Sequence, residues 1–402
     1  MKTTKHFLWV TGALFLLVFC ANFSHVSVTQ AKTFKVSPKT KPCDNTNHST
    51  KYNKKTKNYW MLRSYLRKLA QKGGGTLVLK KGTYKISNTL YVASNIKIVL
   101  SDGVVLKKTG SSGTKEMPAA SSMFQLIRDT KSKKKAVIGK HNGEKNISIT
   151  GEGKAVIDLC GLKMGSKDVI GIIMGHNKNV TIENITFKNM RQGHLIEMDA
   201  CQNVTVKNCT FTGHKASGYN NKEAINLDTP DKKRNGFKSE WSKMDGTANE
   251  DVMITDCKFN NLEVGVGTHR YTGGSYHTNV TIQNCSFDND QTAIRVLNWR
   301  NATITNNTFT NIKPNNRYPY AFFIGGAKGI NFSTNSFTNC GSSSKYLLEF
   351  WCNRGYSANQ TIYAATTSEI TKEQAALFLT NTATNCGSMH LLDCPYDVDF
   401  SN

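Results

Sequence analysis

The chain has 402 residues, a formal net charge of +24 at pH 7 and eleven cysteines. This length can bury one large core, and the basic excess favours polyanionic partners such as acidic polysaccharides or cell-wall polymers. Nucleic acid is a disfavoured partner, because the N-terminal residues are expected to direct export and no nucleic-acid-binding motif accompanies the charge.

Residues 1–31 have the pattern of a signal peptide. A basic start, MKTTKH, precedes the apolar run FLWVTGALFLLVFCA, and small and polar residues follow up to Ala31. This pattern predicts cleavage after Ala31 and a secreted, extracellular mature protein. The apolar run is short and no second one follows it, so we expect no membrane span.

Residues 32–57 are rich in Lys, Thr and Asn, which predicts a basic, irregular arm. From Lys32 to Lys72 twelve basic residues stand against a single acid, Asp44. Two interpretations fit this charge: a solvated arm, or an arm that contacts the cell wall or another anionic surface.

Two helices are predicted at the ends of the fold. Residues 58–72 place Leu62, Leu66 and Leu69 at helical spacing, which indicates an amphipathic helix that closes the N-terminal end. Residues 341–402 are expected to form C-terminal coils and a cap. Within them 371–381 is predicted to be a helix with Thr371 as its N-cap and Gln374 completing a capping box.

The region 58–340 is dominated by one repeated phrase, such as NVTVKNCTF and NVTIQNCSF. The closing phenylalanines are Phe187, Phe211, Phe259, Phe287, Phe309 and Phe337. Their intervals of 24, 48, 28, 22 and 28 residues indicate a solenoid whose units bury their faces against their neighbours. No helical pattern lies between the strands, so we predict an all-β, single-stranded, right-handed parallel β-helix.

Two features of the repeat carry further expectations. Three residues before the phenylalanine stands Asn or Asp at a predicted turn, where it tolerates left-handed backbone and can hydrogen-bond along the stack. These residues are Asn184, Asn208, Asp256, Asn284 and Asn306. The 48-residue interval contains an insertion, residues 229–250, which is predicted to wall or cover a groove.

Ten cysteines follow the signal peptide, and export permits disulfides. Cys386 and Cys394 are near enough in sequence to pair, as are Cys340 and Cys352, although connectivity does not follow from sequence. Cysteines that recur at one position of the repeat are interpreted as small buried thiols; they are Cys209, Cys257 and Cys285. The Cys and His spacing indicates no structural zinc site.

Alternation along the remaining strands identifies side chains that leave the core. In 194–200 and 223–229 the aliphatic residues point inward, so acidic and amide side chains point outward. The outward set is Glu197, Asp199, Asn226, Asp228, His269 and Arg295, with Trp299 at its edge to stack on a sugar. His194 and Glu223 share the parity of the core, so they are expected at the rim or buried.

This patch has the parts for glycoside cleavage. One carboxyl must be protonated and another ionised, and crowded carboxyls acquire different pKa values. Arg295 can bind a uronate carboxylate through two hydrogen bonds. His269 can orient a carboxyl or bind sugar.

Two stretches resemble pectin-lyase-fold proteins. A helix followed by GGGTLVLKKGTY (73–84) and SDGVVLKK (101–108) is similar to the start of that fold. ISITGEGKAVIDLCG (147–161) is similar to the G-x-G-x-IDG coil of polygalacturonase-type glycoside hydrolases. The resemblance covers about residues 58–340 and implies a secreted hydrolase of a polysaccharide, acidic by the charge argument, that needs no cofactor and no metal.

The order of the coils also resembles that family, in which a carboxylate strand, a paired-carboxylate strand, a glycine–histidine strand and an arginine strand follow one another. The resemblance implies that Asp228, Asp199 and His269 are catalytic and that Arg295 binds substrate, with Glu197 and Glu223 as further catalytic carboxyls. Asn226, Trp299 and His194 are further candidates for substrate binding. Leu297 stands where the family's arginine strand carries lysine.

Two other functions fit the same pattern. A polysaccharide lyase would hold Ca²⁺ on Glu197, Asp199 and Asp228, with Arg295 or His269 as the base. A non-catalytic surface β-helix would bind polymers in its groove without cutting them.

Overall fold

Strands with alternating inward and outward side chains build a three-sided solenoid. A computed structural model describes residues 32–233, 235–352, 368–396 and 398–400. The predicted signal peptide lies outside the described residues. Each coil contributes one strand to each of three parallel sheets, and each sheet has ten strands among the described residues. The predicted parallel β-helix is confirmed.

The strands of each sheet follow one another in chain order. Sheet 1 comprises Thr33–Val36, Gly75–Leu79, Ile96–Leu100, Lys145–Gly151, Lys178–Glu183, Gln202–Lys207, Glu250–Thr255, His277–Gln283, Trp299–Thr305 and Lys328–Ser333. Sheet 2 comprises Gly82–Ile86, Val104–Lys108, Val156–Asp158, Thr186–Met190, Thr210–His214, Lys258–Asn260, Ser286–Asp288, Thr308–Thr310, Ser336–Thr338 and Thr382–Thr384. Sheet 3 comprises Leu90–Tyr91, Ser122–Gln125, Ile170–Gly175, Ile196–Asp199, Glu223–Asp228, Val264–Gly267, Thr292–Leu297, Tyr320–Gly325, Tyr346–Trp351 and Met389–Leu392.

The repeated phenylalanines form one continuous stack inside sheet 2. The ring centroids of Phe187 and Phe211 lie 5.1 Å apart, and those of Phe259 and Phe287 lie 4.5 Å apart with only 4° between the planes. The rings are fully or almost fully buried. The sequence period therefore reports a physical stack, in which each ring packs on its counterpart in the next coil.

The predicted turn residues have left-handed backbone, with φ between 51° and 58°. The hydrogen-bonded amide ladder, however, runs through another asparagine position. Asn203 donates to Asn179 at 2.8 Å, and Asn179 donates to Asn146 at 2.9 Å. The prediction was thus correct for backbone conformation and wrong for the location of the ladder. The residues that form the ladder lie near the starts of successive strands of sheet 1, and each side chain is hydrogen-bonded to its counterpart in the next coil.

Both ends of the solenoid are closed. Helix α1 (Lys57–Gln71) packs on the first coils through a buried apolar face, and helix α2 (Lys372–Phe378) packs on Lys328–Ser333. The capping box of Thr371 and Gln374 forms as predicted. Two short 3₁₀ helices, Asn45–His48 and Asp129–Lys131, lie in the connections.

Two sequence expectations are corrected here. The arm 32–57 is not irregular throughout, because Thr33–Val36 pairs in register with Gly75–Leu79 and so satisfies the edge of sheet 1. The disulfide joins Cys352 to Cys394, with Cα atoms 4.8 Å apart. Each of these cysteines follows the end of its strand, and the two strands are neighbours in sheet 3, so the coils decide this pairing and sequence distance does not.

The interpretation of Cys209, Cys257 and Cys285 as buried thiols is confirmed, since each is at most 2% exposed and unpaired.

Replacing Phe259 by Ala is expected to lower the free energy of unfolding by roughly 3–5 kcal/mol, because the ring is removed from the middle of the stack and leaves a cavity. Urea denaturation followed by circular dichroism measures this change. Met253→Ala, at an exposed position of the same coil, is the control and should change stability by less than about 0.5 kcal/mol. An equal loss in both variants would mean that the stack carries no special share of the stability.

Candidate functional site

The outward face of sheet 3 carries the polar residues of the predicted site. Glu197 stands opposite Asn226 in the register of neighbouring strands, and Asp199 stands opposite Asp228. In the following coils Gly267 stands opposite Asn226 and Arg295 opposite Gly267. Parallel strands lie about 4.8 Å apart, so the register brings side chains that are distant in sequence into one row that runs from coil to coil. We call such a row a file.

A long connection covers the file at its N-terminal end. We call residues 229–250, of which the structure describes all but 234, the cover segment. Its Phe237 and Trp241 rings are buried against Ile127, Ile138 and Ile173. The insertion therefore packs on the outward face of sheet 3 at this end. The Trp241 carbonyl accepts hydrogen bonds from the N–H groups of Val137 and Ile138, at 2.9 and 3.0 Å, which help hold the segment in place.

The cover segment also explains why Asp199 is not open to solvent. Gly175 is the register partner of Asp199. A Cβ atom on Gly175 would lie 2.6 Å from the Phe237 ring and 2.8 Å from Trp241. Both rings thus press directly on the strand beside Asp199.

The three carboxyls on this face point away from the core, as expected, but they are buried. Glu197 is 6%, Asp199 0% and Asp228 2% exposed. Burial, together with the Glu197 carboxyl, raises the pKa of Asp199 well above its usual range, and burial with Asp228 does the same for Glu197. These carboxyls retain protons at pH values where surface carboxyls have lost them.

Asp228 differs from its two neighbours because backbone donors reach it. Burial raises its pKa to about 6, and the N–H groups of Arg270 and His269 oppose this shift by donating to Oδ1 at 2.6 and 2.8 Å. Its carboxyl therefore fixes the turn after Val264–Gly267. Among the described residues no amide or hydroxyl donor reaches either buried oxygen of Asp199, whose hydrogen-bonding neighbour is the Glu197 carboxyl.

A second group is centred on Glu223, which is fully buried, as its parity allowed. Arg295 donates from Nη2 to Glu223 Oε1, and His194 Nδ1 lies 3.5 Å from Oε2. His194 also approaches Glu197, with Nε2 3.4 Å from Oε2. Burial lowers the pKa values of His194 and His269 to about 3, so both imidazoles are neutral at physiological pH.

Trp299 is the predicted site residue that the structure removes from the site. Its ring is fully buried in the core and its Nε1 donates to Thr268 Oγ1 at 2.8 Å. Asn298 has a φ of 61° and turns the chain, so Trp299 begins the next strand of sheet 1. Alternation counted across this turn gave the wrong side, and Trp299 has no open face on which a sugar can stack.

A cavity of about 620 Å³ opens on the C-terminal coils beside this group. Of the predicted site residues, only His269 and Arg295 line it. Its aromatic lining consists of Tyr219, Tyr318, Tyr320, Phe323 and Trp351. Its remaining lining consists of Arg270, Arg317, Asn221, Leu297, Pro319 and Glu349.

Arginine and asparagine side chains contact the Tyr318 side chain in the lining of this cavity. The guanidinium carbons of Arg295 and Arg317 lie 5.7 and 5.5 Å from the centre of the Tyr318 ring. Asn221 donates to the Tyr318 hydroxyl at 3.2 Å. Trp351 donates to Glu349 Oε1 at 2.7 Å, and burial raises the pKa of Glu349. The cavity thus presents cationic and aromatic groups, with one carboxyl already engaged.

Sequence reasoning missed most of this lining. Phe323 and Glu349 stand in register with Arg295, so continuing the alternation through the next two coils after Arg295 would have found both. Tyr219, Arg317 and Tyr318 lie in connections, for which strand alternation gives no signal. Among the described residues, no group of three His, Cys, Asp or Glu side chains has the arrangement of a metal site.

Asp228→Asn tests the buried carboxyl set. The folded chain holds the Asp228 proton more tightly than the unfolded chain does, so this contribution to stability is complete at low pH and is lost as pH rises through about 6. The free energy of unfolding of the variant should therefore rise, relative to that of the wild type, by up to roughly 3 kcal/mol between about pH 4 and pH 7. Urea midpoints at both pH values measure the gain. A difference that does not change with pH would mean that Asp228 has an ordinary pKa.

Comparisons with known proteins agree with this architecture. No family model matches the chain. Plasmin and fibronectin-binding protein A of Streptococcus pneumoniae strain R6 is 26% identical over 258 residues, which are 59% of this chain and 34% of that protein. The chain therefore spans about a third of the length of this curated relative.

Two solved structures extend the comparison. The surface adhesin PfbA of Streptococcus pneumoniae has 20% identity and a TM-score of 0.59, over 84% of this chain and 77% of its own. An exopolygalacturonase from Thermotoga maritima has 12% identity and a TM-score of 0.51, over 79% and 76%. No helix among the described residues is long and apolar enough to span a membrane. The expected resemblance is thus confirmed at the level of fold, and the chain is a right-handed parallel β-helix protein.

Proposed function

We propose that this protein is an extracellular, non-catalytic β-helix that binds an acidic polysaccharide and holds one sugar residue in the cavity on sheet 3. One observation carries the proposal. The carboxyls that would have to act on a glycosidic bond are buried beside the cover segment, whereas the adjacent open cavity is lined by arginines and aromatic rings.

The charge of the cavity favours an anionic ligand. Arg270, Arg295 and Arg317 line it, and its one acidic side chain, Glu349, accepts a hydrogen bond from Trp351. Arg295 is already paired with Glu223, so Arg317, which is exposed, is the guanidinium best placed to meet an incoming carboxylate. Arginine binds carboxylates through two parallel hydrogen bonds.

The aromatic lining favours a sugar as the carrier of that charge. Tyr219 is 49% exposed and Tyr318 and Trp351 are partly exposed, so these three rings can meet a ligand. The buried Phe323 ring supports Trp351, with the two ring centroids 5.6 Å apart. Binding sites for small ligands combine such apolar walls with a few convergent polar groups. A uronate or another carboxylated sugar offers an apolar ring face to the walls and a carboxylate to Arg317.

Hydrolysis would require the buried carboxyls to reach the substrate. A general acid must lie within hydrogen-bond distance of the oxygen that it protonates. Exposing Asp199 would require the cover segment to lift and expose Phe237 and Trp241, at a cost of roughly 3–6 kcal/mol for the two side chains. Exposing Asp228 would also break its hydrogen bonds with the N–H groups of His269 and Arg270. Binding in the cavity requires no such movement.

The comparisons support a binding role without identifying a ligand. One relative is named for binding plasmin and fibronectin, and the matching structure is described as a surface adhesin. A role at the cell surface also agrees with the signal peptide expected at 1–31 and with the basic arm, which would approach an anionic surface.

The first experiment separates binding from cleavage. Purified protein is incubated with a panel of acidic polysaccharides, with calcium or with chelator, while reducing ends, ultraviolet absorbance and retained polymer are followed together. We expect retention without either product signal. Reducing ends that disappear in an Asp199→Asn, Asp228→Asn double variant would establish a hydrolase, and absorbance that chelator abolishes would establish a lyase.

Arg317→Gln tests the cavity itself. Removing a charge-assisted hydrogen bond should weaken binding of an acidic oligosaccharide roughly tenfold or more. Titration calorimetry measures the affinity, and the carboxyl-reduced oligosaccharide should not distinguish the variant from the wild type. Arg300→Gln is the matched control, because Arg300 stacks on Tyr276 outside the cavity. Equal losses for both arginines would show that only overall charge matters.

A further inference from the structure

Four cysteines lie in the C-terminal coils, in two pairs that are close in sequence: Cys340 with Cys352, and Cys386 with Cys394. The disulfide takes one cysteine from each pair. Cys352 is bonded to Cys394. Cys340 and Cys386 are left as free thiols. The coils bring these two together as well.

Cys340 and Cys386 occupy equivalent positions on neighbouring coils. Ser336–Thr338 and Thr382–Thr384 pair in register, and each cysteine follows its strand by two residues. The Cys340 N–H donates to Cys386 Sγ at 3.4 Å. The preceding residues are also joined, because Asn385 donates to Asn339 at 2.7 Å. Equivalent positions on stacked coils are about 4.8 Å apart, which is within the range of Cα separations that a disulfide spans.

We propose that Cys340 and Cys386 form a second disulfide that fastens the last coil of sheet 2 to the solenoid. The oxidant is a low-molecular-weight disulfide such as oxidised glutathione. The Cys386 thiolate attacks it, forms a mixed disulfide and releases one small thiolate. The Cys340 thiolate then attacks Cys386 Sγ and releases the second, so two protein thiols lose two protons and two electrons while one small disulfide becomes two thiols.

The order of these steps follows from access. Cys386 is partly exposed, whereas Cys340 is fully buried, so the small disulfide reaches Cys386 first. The hydrogen bond with Cys340 also lowers the pKa of Cys386, to about 6, which favours its thiolate.

The same protein contains an internal control. Cys209, Cys257 and Cys285 also occupy equivalent positions on successive coils, as the pairing of the strands that follow them shows. All three are buried, so no oxidant reaches them. The proposal therefore concerns one accessible pair and does not extend to every stacked pair of cysteines.

The new bond would tie residues 368–400, which include α2, to the solenoid at a second point. The Cys352–Cys394 bond joins sheet 3 of the terminal coils, and the proposed bond would join sheet 2. Two such bonds on two faces would restrict fraying of the last coil, which has no further coil to pack on among the described residues.

The test uses the full chain, equilibrated with oxidised and reduced glutathione, alkylated under denaturing conditions and mapped by mass spectrometry. Trypsin cuts after Lys345 and separates Cys340 from Cys352, and cyanogen bromide cuts after Met389 and separates Cys386 from Cys394. We expect a linked Cys340–Cys386 fragment, two alkylation sites fewer than in protein that holds only the Cys352–Cys394 bond, and alkylated Cys209, Cys257 and Cys285.

Two variants test the order of steps. In Cys340→Ser, Cys386 should retain glutathione as a mixed disulfide, whereas in Cys386→Ser, Cys340 should remain a free thiol. Alkylation of both cysteines while Cys352–Cys394 stays intact would overturn the proposal, as would linkage of Cys340 to Cys352 or of Cys386 to Cys394. Far-ultraviolet circular dichroism verifies that each variant is folded.

Discussion

The register of the parallel strands is the constraint on which the rest of this structure depends. Once neighbouring coils pair, every residue has a counterpart about 4.8 Å above and below it, so like side chains accumulate in files. The phenylalanine stack, the asparagine ladder and the buried cysteines are three such files inside and along the solenoid. The outward residues of sheet 3 form another, and there the same constraint concentrates groups that repel one another or must share protons.

Burial then decides what such a file can do. Carboxyls in one outward file would form a reactive patch if water and substrate reached them. Here the rings of Phe237 and Trp241 press on the strand beside Asp199, and burial raises the pKa values of Asp199 and Glu197 well above the usual range of carboxyls. Farther along the same face a cavity opens, and the file continues as Arg295, Phe323 and Glu349. One sheet face is thus divided into a sealed part and an open part by the insertion within a single coil.

The sequence was sufficient for those features that repeat. The spacing of Phe187 to Phe337, the left-handed turns and the capping box at Thr371 all depend on neighbouring residues or on one period. The sequence was insufficient wherever one turn, or one contact between coils, departed from the repeat. The turn at Asn298 reversed the parity of Trp299, and the pairing of Cys352 with Cys394 depended on which coils become neighbours. Alternation correctly gave the outward direction of Glu197, Asp199 and Asp228, but direction is not exposure, because exposure depends on how the connections that follow the strands fold back over the sheet.

Arg295 connects the two parts of the face and explains why the proposed anion site is compatible with so many nearby acids. Its Nη2 is held by the buried Glu223, which neutralises that side of the guanidinium, while its carbon faces the Tyr318 ring at the mouth of the cavity. Because Glu223 is fully buried and paired, its negative charge is already compensated before any ligand arrives. Arg317 lies on the same Tyr318 ring and has no described carboxylate within ion-pair distance. An incoming carboxylate would therefore meet Arg317, which has no described carboxylate partner, beside the neutral Arg295–Glu223 ion pair. This arrangement of charges attracts an anion and leaves the buried ion pair unbroken.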